Sequence, residues 1–181
     1  MAGIIVRHCA PTLAGLKIGN LFSYKYEDLG ELKNIIRSMN KTLNRKGVYF
    51  VLVKAANGMA LVYVFRRKQL AGRLSEPDVQ DFLKECGYTE FTVGACLNRL
   101  QERLKDSDFP HEIGVFLGYP LDDIIAFIDN KGANCKCSGF WKAYNNVNEA
   151  VKTFERFDKC IRIYCKEHME GADLLKLTVA V

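Results

Sequence analysis

The chain reads as a single α+β domain over residues 1–181, a mixed sheet of about four strands packed with five or six helices. Three observations predict it. Two β-branched and aromatic runs form a hairpin over residues 48–65. Apolar stripes at helical spacing flank that hairpin on both sides. And 181 residues, 49% apolar and 26% charged, suffice for one core and are short for two.

The elements follow in order. Pro11 suits the first turn of a helix, where its missing N–H costs nothing, so a helix is expected to begin there with Cys9 just before it. A second helix covers about Tyr26 to Asn44, with Leu29, Leu32, Ile36, Met39 and Leu43 on one side. Val48–Val53 and Met59–Phe65 are the hairpin strands, and the loop between them ends in Asn57-Gly58, a pair that accepts positive φ. Both runs are almost continuously apolar, which predicts interior strands covered on both faces by helices.

Ser75 to Asp78 looks like a helix start, and Val79, Phe82, Leu83 and Cys86 then share a face before Gly87. Thr92 caps the next helix, whose stripe is Val93, Cys96, Leu97, Leu100 and Leu104. Ile113–Leu117 and Phe140–Tyr144 are further strand candidates. Between them, Pro120 with Asp122 and Asp123 opens a helix that Gly132 stops, the acids favouring its positive end. Asn146 and Glu149 open the longest helix, with Ala150, Phe154, Phe157, Ile161, Tyr164 and His168 along one stripe.

Composition narrows the function classes. No apolar run reaches the ~18 residues needed to span a bilayer, and Met1–Val6 lacks the pattern of an export signal. The expected compartment is the cytoplasm, and there Cys9, Cys86, Cys96, Cys135, Cys137, Cys160 and Cys165 are expected to be thiols. A net charge of +5 argues against nucleic acid unless it is concentrated on one surface. The densest basic run, Arg66-Arg67-Lys68 followed by Arg73, reads as a solvated segment after a strand.

Three segments hold chemistry-bearing side chains. In Arg7-His8-Cys9-Ala10-Pro11, a cysteine just before a helix would have its thiolate stabilised by free N–H groups and the dipole. In Phe109-Pro110-His111-Glu112-Ile113, polar residues stand at the mouth of an apolar run, where they would line a pocket. If His111 and Glu112 belong to the strand they face opposite ways; in a turn both could face one site. Cys135-Lys136-Cys137 with Cys160 and Cys165 fails the usual zinc spacing, since one residue separates the first pair. Phosphate loops, dinucleotide fingerprints, nucleophile elbows and zinc-helix motifs do not occur in the sequence.

The segments His8–Gly15, Phe109–Gly114 running into Phe116–Pro120, and Gly139-x-Trp141-Lys142-x-Tyr144 resemble, in the same order, a bacterial family common in clostridia and related anaerobes. That family is known as domain of unknown function 3793. The resemblance implies a bacterial cytosolic protein of one domain and carries no activity, cofactor or catalytic residue with it.

The residues leave three functional expectations. The first is a thiol-dependent enzyme or redox-associated domain with Cys9 as thiolate, His111 as base or proton donor and Glu112 as orienter. The second is metal or haem binding through His8, Cys9, His111 and Glu112 without catalysis. The third is an RNA- or protein-binding module using Lys17, Lys25, Arg66, Arg67 and Lys68 near Tyr24 and Tyr26. The first two leave a small-molecule ligand or a metal as the open partner classes. No membrane partner is expected.

Overall fold

The computed structural model describes residues 1–105 and 109–180. Its centre is an antiparallel sheet of order β1-β3-β2, formed by β1 (Gly19–Lys25), β2 (Val48–Ala56) and β3 (Met59–Arg66). β2 and β3 are the predicted hairpin, and Asn57 and Gly58 both adopt positive φ at its turn. Pairing slips between Leu52 and Lys54, a bulge that leaves Val53 without a cross-strand partner.

β1 is the strand that the hydrophobic pattern did not reveal, because its side chains do not alternate cleanly between apolar and polar. It begins at Gly19, where a Cβ would come within 2.6 Å of the Tyr63 ring. Only β3 is interior to the sheet; β2 lies at an edge although both its faces are covered.

Alternation along β3 builds two cores. Ala60, Val62 and Val64 face one layer of helices, while Tyr63 and Phe65 face the other. The first layer contains α1 (Ala2–Leu13), α2 (Leu29–Leu43), the C-terminal half of α8 (Val147–Met169) and α9 (Leu174–Leu177). The second contains α3 (Arg67–Leu74), α4 (Pro77–Glu85), α5 (Val93–Arg103), α6 (Ile113–Leu117) and α7 (Leu121–Asp129). A two-residue pairing of β4 (Cys137–Ser138) with β5 (Lys142–Ala143) packs on the first half of α8. The domain is α+β, with three principal strands in place of about four.

Three local expectations change. Ile113–Leu117 is a short helix and not a strand. Its five residues are all buried, so periodicity carried no signal, and Gly118 ends it in the left-handed conformation. Of Phe140–Tyr144, only Lys142 and Ala143 pair. Pro11 lies in the last turn of α1 instead of opening a helix. Ile5, Cys9 and Leu13 recur every fourth residue towards the sheet, and that burial outweighs the hydrogen bond lost at proline. The chain then leaves α1 through Gly15 at φ 75°, with Leu16 N–H donating to Pro11 O at 2.8 Å.

The end of α1 is braced by a buried cation. Arg66 is 1% exposed, and its guanidinium donates to Thr12 O (2.7 Å), Lys46 O (2.8 Å), Val179 O (2.7 Å) and Leu13 O. It joins α1, the turn before β2 and the C-terminal tail to β3. The expectation that Arg66 belongs to a solvated basic run is therefore corrected. A side chain enclosed by carbonyls is unavailable to RNA; of that run, Arg67 and Lys68 are exposed.

Candidate functional site

The residues expected to form a thiol or metal site do not converge. Cys9 is fully buried in the core of the α1–α2 layer, near the C-terminal end of its helix. There the dipole disfavours a thiolate, and burial pushes the thiol far above its ordinary range, against a smaller opposing effect of Lys17. His8, one residue earlier, is exposed and stacks on Phe22 at 6.1 Å.

His111 and Glu112 lie in the turn before α6, in the other layer, and they diverge. Glu112 is 2% exposed, takes a 2.9 Å hydrogen bond from Arg103 Nε and lies 3.5 Å from the Tyr88 hydroxyl. His111 is exposed and meets Phe127 edge-on at 5.1 Å. Among the described residues, no three His, Cys, Asp or Glu side chains gather as a metal would require. The sheet separates the thiol from its expected base.

What the fold does build is a cleft of about 650 Å³ on the α3–α7 side. Leu16, Lys17 and Ile18 of the α1–β1 connection form part of its lining, with Gln69, Gly72 and Arg73 of α3, the Gly118–Asp123 turn, and Asn146 to Phe157 of α8. Side-chain bonds to backbone carbonyls tie the α3 wall to its neighbours. Gln69 Nε2 donates to Gly15 O at 3.0 Å, and Arg73 donates to Tyr119 O at 3.2 Å while pairing with Glu76. Arg73 Nε is buried without a partner among the described residues.

Lys17 is the unusual group. It is 6% exposed, its ammonium donates to Gly19 O at 2.7 Å, and it lies 5.2 Å from the centre of the Tyr119 ring. No carboxylate lies within ion-pairing distance of it among the described residues. Burial lowers its pKa to about 7. Near neutral pH a substantial fraction of Lys17 is free amine, the form that acts as nucleophile or base.

Asp123 and Trp141 make the partition between this cleft and a second, more apolar cavity of about 470 Å³. The Asp123 carboxylate accepts from Trp141 Nε1 (2.9 Å), Tyr144 N–H (2.9 Å) and Asn145 N–H (3.0 Å). Its role goes beyond complementing a helix end: it folds the β4–β5 turn onto α7. Trp141 is then held between Tyr119 (5.4 Å) and Phe154 (4.5 Å). His111, Phe109, Phe127 and Lys142 line the second cavity, so His111 does reach a pocket, without Glu112 and without Cys9.

Sequence reasoning missed Lys17 as a cleft residue, having grouped it with surface bases. The signal was its setting, Gly15-Leu16-Lys17-Ile18-Gly19, a lone lysine between apolar neighbours and two glycines. Arg73, at the tail of a basic run, and Asp123, at a helix N-terminus, carry no distinguishing local pattern in the sequence.

No curated protein and no solved structure matches the chain in sequence or structure comparison. A family model does, over residues 5–178, in agreement with the resemblance of the His8–Gly15, Phe109–Pro120 and Gly139–Tyr144 segments. The chain belongs to the protein family of unknown function DUF3793.

Proposed function

We propose that this is a small-molecule-binding protein whose ligand occupies the cleft between α3, α7 and α8. The observation that carries the reading is that Lys17 and Arg73, both in the cleft's lining, hold donor capacity left unused among the described residues. Lys17 has three N–H donors as an ammonium and two as a free amine, against one acceptor among the described residues, and Arg73 has a buried Nε with none there. Donors of this kind favour a polar ligand rich in acceptor oxygens, such as a carbonyl or carboxylate compound. A thiol site built from Cys9, His111 and Glu112 would need those groups within reach of one another, and their segments lie in layers on opposite faces of the sheet. We place the protein in the cytoplasm, where its seven cysteines would stay reduced.

Trp141, the chain's single tryptophan, lines the cleft and makes the test direct. A panel of small carbonyl and carboxylate compounds is titrated while its fluorescence is recorded. At least one should give a saturable change. Gly72→Phe should abolish that change, because a side chain at Gly72 starts in open space beside the cleft. A response that survives Gly72→Phe, or no response to any compound, sinks the reading.

A further inference from the structure

We infer that Lys17 is a carbonyl-capturing amine, forming an imine with a small aldehyde or 2-oxo acid bound in the cleft. This rests on the cleft being a ligand site, as proposed above. The geometry supplies the argument. Lys17 is enclosed, lies against the face of Tyr119, is anchored by one bond to Gly19 O, and belongs to the cleft's lining. An enclosed amine without a carboxylate partner is the arrangement that keeps a lysine deprotonated and nucleophilic.

The surrounding charges leave that state undisturbed. Burial holds the Cys9 thiol and the hydroxyl of Tyr119, whose ring the amine faces, protonated at neutral pH. Of the carboxylates lining the cleft, Glu76 pairs with Arg73, Glu149 pairs with Lys152, and Asp123 is saturated by Trp141 and backbone amides. Asp122 and Arg156 remain as exposed groups of opposite sign. Arg156 and Arg73 are the cationic groups placed to meet the carboxylate of a 2-oxo acid.

The chemistry balances without an oxidant. The Lys17 nitrogen lone pair adds to the carbonyl carbon, and the carbonyl oxygen takes up a proton. The nitrogen loses its two protons, the oxygen leaves as water, and a C=N bond to Nζ remains. Hydrolysis reverses the sequence. Burial, which lowers the Lys17 pKa to about 7, gives it roughly a thousand-fold more free base at neutral pH than an ordinary lysine.

Glyoxylate with sodium cyanoborohydride, the latter supplying hydride to the imine, tests the inference on the intact protein at pH 7. Peptide mapping should find Lys17 labelled at least about ten-fold faster than the exposed lysines. That preference should shrink as pH rises and the other lysines deprotonate. Lys17→Arg should remove the fast adduct, and Lys17→Met serves if arginine does not fold in that space. Labelling of Lys17 no faster than the exposed lysines overturns the inference. If Trp141 still reports saturable, Gly72→Phe-sensitive binding in that case, the cleft reading stands and the amine chemistry alone falls. Absence of both signals removes both.

Discussion

Arg66 and Lys17 are two buried cations near the same helix end, Arg66 bonded to its last carbonyls and Lys17 just beyond it in the chain, and the fold treats them in opposite ways. The Arg66 fork is met by carbonyls of Thr12, Leu13, Lys46 and Val179, so its charge is solvated by the protein itself. Lys17 meets one carbonyl and an aromatic face, and the protein does not repay the cost of its charge. A planar fork can bridge several backbone acceptors at once, whereas an ammonium on a flexible stem settles for one. The contrast separates a brace from a reactive group. One buried cation holds three chain segments together; the other stands ready to lose its proton.

The strongest way to break that comparison is at the brace. Arg66→Leu strands acceptors at the end of α1, before β2 and in the tail, and should cost at least about 3 kcal/mol in urea unfolding. A loss below about 1 kcal/mol would mean that those carbonyls find other partners. Lys17→Met should do the reverse at low pH. An amine whose folded pKa of about 7 lies below its ordinary 10.5 binds fewer protons folded than unfolded between those values. Wild-type stability therefore gains from this group as pH rises from 7 to 10.5, and the penalty is fully present below pH 7. Lys17→Met should be more stable than wild type by on the order of 2 kcal/mol at pH 6, with the advantage fading by pH 10. A constant difference across that range would remove the free-amine assignment.

Smaller effects sharpen the picture of the surroundings. Glu112→Gln weakens the bond from Arg103 and should cost about 1–2 kcal/mol, with no effect on ligand-induced Trp141 fluorescence, because Glu112 faces the core and not the cleft. In native protein, Cys9 should resist alkylation at pH 8 until denaturant is added. Rapid native alkylation of Cys9 would restore the thiol reading. Gly72→Phe should leave stability within about 0.5 kcal/mol, since the site is exposed and open.

Much of the architecture was readable from local pattern. The hairpin, with Asn57-Gly58 at its turn, appears where apolar runs and turn chemistry agree. The stripes of α2, α4 and α5 face the core as their spacing requires, and Thr92 caps α5 through Ala95 N–H at 3.2 Å. Failures cluster where local rules compete. Pro11 and Cys9 favoured a helix start on single-residue grounds, and only the burial of Ile5, Cys9 and Leu13 together reversed it. Asn146 precedes α8 as expected but makes no side-chain cap. The expected catalytic set is not brought together, for a topological reason. Segments 100 residues apart in sequence have no local rule that says which face of the sheet each will cover.

By itself the sequence determined that this chain forms one α+β domain around a 48–65 hairpin, because periodicity and turn residues act over short range. It also held the segments that mark its family. Tertiary structure alone decided which polar groups became buried and with what partners. Arg66 and Lys17 look alike in the sequence, as do Cys9 and any other thiol on an apolar stripe. Desolvation depends on everything within several ångströms, and most of that arrives from distant parts of the chain.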